Sequence, residues 1–292
     1  MICKLLGVCL ASNFFAVAGS SRISILSTGI IFIKKIFKNP YKRIGLSKAS
    51  IISLKLKAPG RIRNLRLTGG QVTYSSPLEL THALKEIFAE GIYEQAFQQN
   101  PYIIDCGANI GMSVIYLKNI APDALIDAFE PDEHNFSLLK KNVQSFDLKN
   151  VFLHNAAVWK EDTELNFSAE GTMSSRINNV AAEGKGSIVK AVRLRNYLTR
   201  KVDFLKIDIE GAEFEVLKDS ADMLYLVNHM FIEYHGTFEQ NGELLSMLEI
   251  ITNQGFSFYI KEAAPVYERP FTRRRPFPGD WDVQLNIFCI KR

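Results

Sequence analysis

No aspartate or glutamate occurs in the first 78 residues of this 292-residue chain. The same stretch holds 13 of the 35 lysines and arginines, which leaves 22 of them against all 31 acidic residues in the remainder. A wholly basic, partly apolar extension over 1–78 on an acidic body over 79–292 points to contact with an anionic surface, membrane or nucleic acid, or to a solvated arm. Cysteine is scarce. Cys3, Cys9, Cys106 and Cys289 have no zinc-ligand spacing and make no disulfide framework, which suits a reducing, cytoplasmic setting. Apolar runs long enough for a bilayer are missing near the start. Residues 5–17 are interrupted by Ser12 and Asn13 and fall short of the ~20 residues a spanning helix needs. Ala16-Val17-Ala18 resembles a signal-cleavage site, while 23–37 leads into Lys34, Lys35 and Lys38 as a basic amphipathic helix on a membrane would. Signal, peripheral membrane anchor and ordinary helix all stay open for this segment.

What is present is globular: 47% hydrophobic and 23% charged residues are enough for a sizeable core. From Pro101 onward β-rich and helical runs alternate. Strands are expected over 102–106, 124–130 and 151–158, with helices over 112–119 and 133–146 between them. Such a βαβαβ series predicts a parallel sheet with right-handed crossovers. Shorter strands are expected over 164–167 and 188–193, and a buried strand over 204–209. A helix opens at 213, a strand follows over 230–235 and a helix over 243–253. The chain closes on an antiparallel pair, 256–261 and 284–290. The Pro- and Arg-rich loop between these two is long enough to be functional. Its Arg273, Arg274 and Arg275 suit either an anionic group or solvent.

The run Asp105-Cys106-Gly107-Ala108-Asn109-Ile110-Gly111 closes the first of these strands. Phe129-Glu130-Pro131 closes the second, with Glu130 lying 19 residues beyond Gly111. In an open α/β sheet, ligands bind at the carboxyl ends of the strands near the switch point. Gly107 and Gly111 let backbone approach a ligand closely, and the helix opening near Gly111 offers free N–H groups. Glu130 is placed to accept from two ribose hydroxyls. These features suit a dinucleotide or S-adenosylmethionine. The dinucleotide fingerprint is G-x-G-x-x-G, whereas three residues separate Gly107 from Gly111 here. Asp105 would repel a pyrophosphate and attract the methionine ammonium of S-adenosylmethionine, directly or through water. The bland alternative is a strand-to-helix turn with a capping aspartate.

These segments resemble the FkbM family of S-adenosylmethionine-dependent methyltransferases. So do Asn135-Phe136, Asn155-Ala156-Ala157 and the run Val202-Asp203-Phe204-Leu205-Lys206-Ile207-Asp208-Ile209-Glu210-Gly211-Ala212-Glu213. The likeness covers about residue 80 to the C-terminus, and the last run is its most specific part. It implies an α/β, Rossmann-like class I methyltransferase: a seven-stranded, mostly parallel sheet with one antiparallel strand and helices on both faces. It implies O-methylation, often of carbohydrates or natural products. By the same resemblance the loop of Asp105, Gly107, Ala108, Asn109 and Gly111 binds the methionine end. Glu130, followed by Pro131, holds the ribose, and Asn155 and Ala156 border the adenine. Thr172-Met173-Ser174-Ser175 matches a short serine-containing segment of the family.

Methyl transfer from a sulfonium needs mainly alignment, but a hydroxyl acceptor must also lose a proton. Asp208 and Glu210 lie two apart at one strand end, and Glu233 and His235 two apart at the next. Strand alternation sends i and i+2 to one side, so neighbouring strands would bring all four together. His235 is the expected general base, with Glu233 or Glu210 orienting it and Asp208 facing the cofactor or the acceptor hydroxyl. The same four residues could instead hold Mg²⁺ or Mn²⁺. Glu210 and Glu213 could also serve only the following turn and helix dipole, and Lys206 could pair with an acid. The expected partner is a small-molecule or glycan acceptor. Absence of an Asn/Asp-Pro-Pro-Tyr/Phe signature counts against nucleic acid, leaving a nucleic-acid methyltransferase as the second reading. A non-catalytic module of the same fold is the third, disfavoured because both motifs are intact.

Overall fold

The computed structural model describes residues 39–168, 186–276, 279 and 281–292. Residues 1–38 and Thr172-Met173-Ser174-Ser175, for which a membrane helix and a family segment are expected, lie outside the described residues. Helix α1 (Lys48–Lys55) starts at a capping box of Ser47 and Ser50 and leads to a hairpin of β1 (Arg63–Leu67) and β2 (Gly70–Tyr74). Helix α2 (Pro77–Ala83) is capped by Ser76, carries proline in its first turn, and passes directly into a π-helical stretch, Leu84–Glu90. Among the described residues no helix is long and apolar enough to cross a membrane.

The βαβ series then follows: β3 (Tyr102–Cys106), α3 (Met112–Ile120), β4 (Leu125–Phe129), α4 (Glu133–Ser145) and β5 (Val151–His154). The strand expected over 151–158 breaks at Asn155-Ala156. The Asn155 amide donates to the carbonyls of Glu130 and Pro131, at 2.9 and 3.2 Å, which turns the chain out of the sheet. It resumes in a separate three-stranded sheet of β6 (Ala157–Trp159), β7 (Thr163–Ser168) and β8 (Gly186–Arg193). The chain returns through β9 (Val202–Ile207), α5 (Glu213–Asp219), β10 (Val227–Gly236), α6 (Asn241–Asn253), β11 (Phe256–Glu262) and β12 (Val283–Lys291).

The main sheet has seven strands in the order β11-β12-β10-β9-β3-β4-β5. Only β12 runs antiparallel to its neighbours. Strand alternation divides the core. Ile104, Cys106, Leu205 and Ile207 face one side, where Val216 and Leu217 of α5 and Met247 and Ile251 of α6 cover them. Ile103 and Phe204 face the other, under Val114 and Leu117 of α3 and Leu138 and Leu139 of α4. Helices thus cover both faces of a class I, Rossmann-like sheet.

Residues 41–78, set apart by their charge in the sequence, pack into this second core through Ile44, Leu54, Leu67, Val72 and Tyr74. Asn142 of α4, fully buried, holds the hairpin in place. It accepts from the Thr73 N–H at 2.6 Å and donates to the carbonyls of Thr73 and Ile110. The compact unit therefore runs from Tyr41 to Arg292. The basic charge of 41–78 sits on a surface whose inner side is apolar, and charge alone could not show that.

Candidate active site

The switch in strand order falls between β3 and β9, and the polar strand ends gather there. Gly107 follows β3 at φ +91°, where an added Cβ would lie 1.8 Å from the Asp208 carbonyl oxygen. Gly107 and Ala108 donate their N–H groups to the Phe129 carbonyl, which fixes the loop to the end of β4. Asn109 keeps a left-handed φ of +47°, and its side-chain oxygen accepts from the next N–H.

Asp105 lines neither of the cavities at the strand ends. Its side chain is wholly buried behind the loop. The carboxylate accepts from Ser113 Oγ at 2.5 Å and faces the Lys206 ammonium at 3.2 Å. Lys206 also donates to the Gly107 carbonyl at 2.8 Å and lies 3.2 Å from Asp208. Burial opposes the lysine's charge, yet Asp105 and Asp208 outweigh it and hold its pKa well above the usual value. Asp105 thus anchors a lysine that aligns loop and strand, and Asp208 is the aspartate that reaches the cleft.

Glu130 lines the same cleft, 6% exposed. Its two carboxylate oxygens accept from the backbone N–H groups of Asn109 and Asp132, at 2.8 and 3.0 Å. Burial, working against those two hydrogen bonds, pushes its pKa up to about 7. The cleft has a volume of about 390 Å³, and Gly107, Asn109, Pro131, Ala156, Asp208 and Glu210 contribute to its wall. Asn155 does not line it and acts through its clamp on the Glu130 and Pro131 carbonyls. Ser75, Glu79 and His134 also line the cleft. The hairpin and α2 bring the first two, and no spacing in the sequence marks them.

A second cavity, about 560 Å³, adjoins the first and shares Glu79, Gly107, Asn109, Asp208 and Glu210 with it. Ala108 faces this one. So does Glu233 of β10, beside His235, because β9 and β10 are paired neighbours. The four residues Asp208, Glu210, Glu233 and His235 do converge. His235 Nε2 lies 3.6 Å from Glu233 and 3.7 Å from Glu210.

Neither of those carboxylates orients the imidazole. That partner is Glu213, 1% exposed, which faces His235 Nδ1 at 3.3 Å. Glu213 also accepts from the N–H groups of Ile209 and Gly211. It thereby holds a turn in which Glu210 has φ +57°. Burial opposes the imidazolium, but the Glu213 hydrogen bond and the charges of Glu213, Glu210 and Asp208 push the His235 pKa up to about 10. Burial first, then Asp208, pushes Glu233 up to about 8, against the pull of His235. Both shifts favour the protonated forms, that of His235 more strongly than that of Glu233.

Ligand atoms of Asp208, Glu233 and His235 lie within 4.8 Å of one another. Two carboxylates and an imidazole are a donor set that a hard divalent cation accepts. A cation there must first displace the imidazole proton.

The remaining histidines take other places. His154 meets Asp127 at 2.6 Å and stacks on Phe129. His82 lies beside Glu86. Arg274 and Arg275 pair with Glu268 and Asp282, and Arg273 lies over the Phe238 ring.

One antiparallel strand in a seven-stranded sheet, a glycine turn after β3 and an acid after β4 define a class I S-adenosylmethionine-dependent methyltransferase. Within that class the chain belongs to the FkbM family, since the family model described as Methyltransferase FkbM domain matches residues 105–258. Methyltransferase 1 of Beauveria bassiana is 26% identical over 265 residues, covering 79% of this chain and 98% of that protein. The structure of methyltransferase FkbM from Methylobacillus flagellatus is 16% identical with a TM-score of 0.45. The alignment covers 72% of this chain and about half, 54%, of that one.

Nucleic acid stays among the acceptors open to this chain, contrary to the expectation from its sequence. Similar solved structures include an rRNA methylase from Streptococcus thermophilus, at 11% identity, TM-score 0.39 and coverage of 74% and 96%. Absence of one amino-methylating signature does not narrow the acceptor. The cleft fits S-adenosylmethionine by its chemistry, offering carboxylates to a cationic ligand with ribose hydroxyls at a cradle only glycine can form.

Proposed function

We propose that this methyltransferase acts on a hydroxyl, that of a sugar in a glycan, glycolipid or natural product. The observation that carries the reading is the Asp208–Glu233–His235 cluster, in which Asp208 lines both cavities, Glu233 lines the second and His235 is buried beside them. When bound, S-adenosylmethionine supplies the methyl group as an electrophilic sulfonium. Glu130 holds the ribose, because each of its oxygens, with one N–H already accepted, keeps a lone pair for a hydroxyl. Pro131 and Ala156 border the adenine, with Asn155 fixing their backbone. The loop of Gly107 and Asn109 faces the methionine end, with Asp208 beside it.

Glu233 takes the proton from the acceptor oxygen. Its pKa near 8 lies close to the working pH, where a base is most effective. His235, already protonated, is a fixed positive group that Glu213 holds against the carboxylate cluster. Asp208 orients the acceptor hydroxyl.

The sign of the pH dependence follows. Turnover rises as Glu233 ionises through about 8 and falls as His235 loses its proton near 10, both being apparent values of one coupled group. Glu233→Gln is expected to lose the rising limb and ~10²–10⁴-fold in rate. Labelled cofactor, a panel of hydroxyl acceptors and a pH series measure this, with calorimetry of cofactor binding alongside. Wild-type turnover in Glu233→Gln removes the base assignment. Activity lost to a chelator and restored by Mg²⁺ moves proton removal to a cation. Failure of the intact protein to bind S-adenosylmethionine overturns the cofactor reading itself.

A further inference from the structure

We infer that the acceptor carries its hydroxyl on an apolar body, which lies in the second cavity against the helix formed by α2 and its π-helical continuation. The inference rests on the methyl-transfer reading and adds the class of acceptor. At about 560 Å³ this cavity is larger than the cofactor cleft and has a different wall. Leu78, Ile87 and Ile92 line it from the N-terminal side, Met112 from the start of α3, and Pro265 and Pro276 from the loop between β11 and β12.

Its polar groups form two sets: Asp208, Glu210 and Glu233 at the strand ends, the first two on the wall shared with the cleft, and Glu79, His82 and Glu86 along the helix. The cationic side chains in its wall are His82 and Lys206, and both are engaged, one by Glu86 and the other by Asp105 and Asp208. Nothing among the described wall residues offers a free cation to a phosphate. Carbon surface cannot replace the hydrogen bonds that a bare saccharide loses when it leaves water. A mostly apolar cavity with placed acidic groups at the strand ends orients an amphipathic ligand by its polar end.

Leu78 supplies a second observation. It stands 77% exposed at the cavity rim, in the first turn of a helix whose inner side is packed. A ligand's apolar part would cover it. The polar end of such a ligand, a sugar hydroxyl on a lipid or a plain alcohol, would then reach Asp208 and Glu233.

Binding to the full chain loaded with S-adenosylhomocysteine tests this without turnover. The probes are octyl glucoside below its micelle concentration, 1-octanol and glucose, measured by calorimetry. Octyl glucoside is expected to bind at least ~10-fold more tightly than glucose, the scale that burying several CH₂ groups produces. Leu78→Asp, at an exposed position that folding does not need, should weaken octyl glucoside roughly tenfold or more and leave cofactor affinity unchanged. Comparable binding of octanol assigns the recognition to the apolar body, whereas a large preference for the glucoside adds a sugar site at the acidic end; either supports the inference. Equal binding of glucose and octyl glucoside, or an unaltered Leu78→Asp protein, overturns it. Wall-dependent binding without methylation of any hydroxyl probe by the S-adenosylmethionine-loaded chain would instead overturn the hydroxyl-acceptor reading, leaving the apolar ligand class in place.

Discussion

At Gly107 the backbone turns at φ +91° and passes so close to β9 that a first side-chain carbon would meet the Asp208 carbonyl. Gly107→Ala therefore adds left-handed strain to a backbone clash, which should cost about 2–4 kcal/mol. In a chain of this size that lowers Tm by roughly 5–15 °C. Gly242, in α6, has open space around it and an ordinary φ, so Gly242→Ala should be neutral or stabilising by up to about 1 kcal/mol. Paired thermal melts and cofactor titrations check both; equal melting of the two variants would remove the geometric argument. The need for glycine at 107 was legible in the sequence, but the fate of its neighbour was not. Asp105 looked available to a ligand because strand-end acids usually are. Only the burial of Lys206 beside it shows that the charge is already taken. Glu213 was hidden for the opposite reason. An acid in a first helical turn has an ordinary explanation in the helix dipole, and its reach to His235 depends on β10 lying next to β9.

At the scale of elements, Asp105 and Lys206 are register partners across the parallel β3–β9 pair. Their charges join the two strands at the end where the cofactor loop begins. Lys206→Met should leave Asp105 charged, buried and uncompensated, at a cost of about 3–5 kcal/mol. Adding Asp105→Asn removes that charge, so the double variant should be more stable than Lys206→Met alone. Urea unfolding of the single and double variants measures the coupling, and strictly additive losses would show that the pair is not a unit. The parallel strands themselves were legible as short apolar runs between helical ones, since strands buried on both faces read that way. Their ends were less so. The run over 151–158 is continuous in sequence, and it is the Asn155 side chain, bonding back to β4, that divides it between two sheets. The β1–β2 hairpin carries its signal in Gly69-Gly70, but four basic residues around it made the stretch resemble a solvated arm.

Charge at the scale of the whole molecule misplaces the boundary of the folded unit, because it reports the outer surface and says nothing about what lies beneath. The acid-free stretch to residue 78 runs well into the compact unit that starts at Tyr41. Two truncations separate the alternatives. A chain beginning at Tyr41 keeps α1, the hairpin and the Thr73–Asn142 bonds, and should retain full-length Tm and cofactor affinity. A chain beginning at Pro77 keeps the whole seven-stranded sheet yet loses Leu54, Leu67, Val72 and Tyr74, all 2% exposed or less. Each such side chain contributes about 1.5–3 kcal/mol on burial, which together is comparable to the 5–15 kcal/mol net stability of a typical protein. That shorter chain should be insoluble or unfolded by circular dichroism. It would also lack Ser75 from the cofactor cleft and leave the Asn142 amide unpaired toward β2. If it folds and binds S-adenosylmethionine as tightly as the full chain, the hairpin is an appendage after all. If it fails while the chain from Tyr41 succeeds, part of the basic segment belongs to the enzyme's core and to its cofactor cleft.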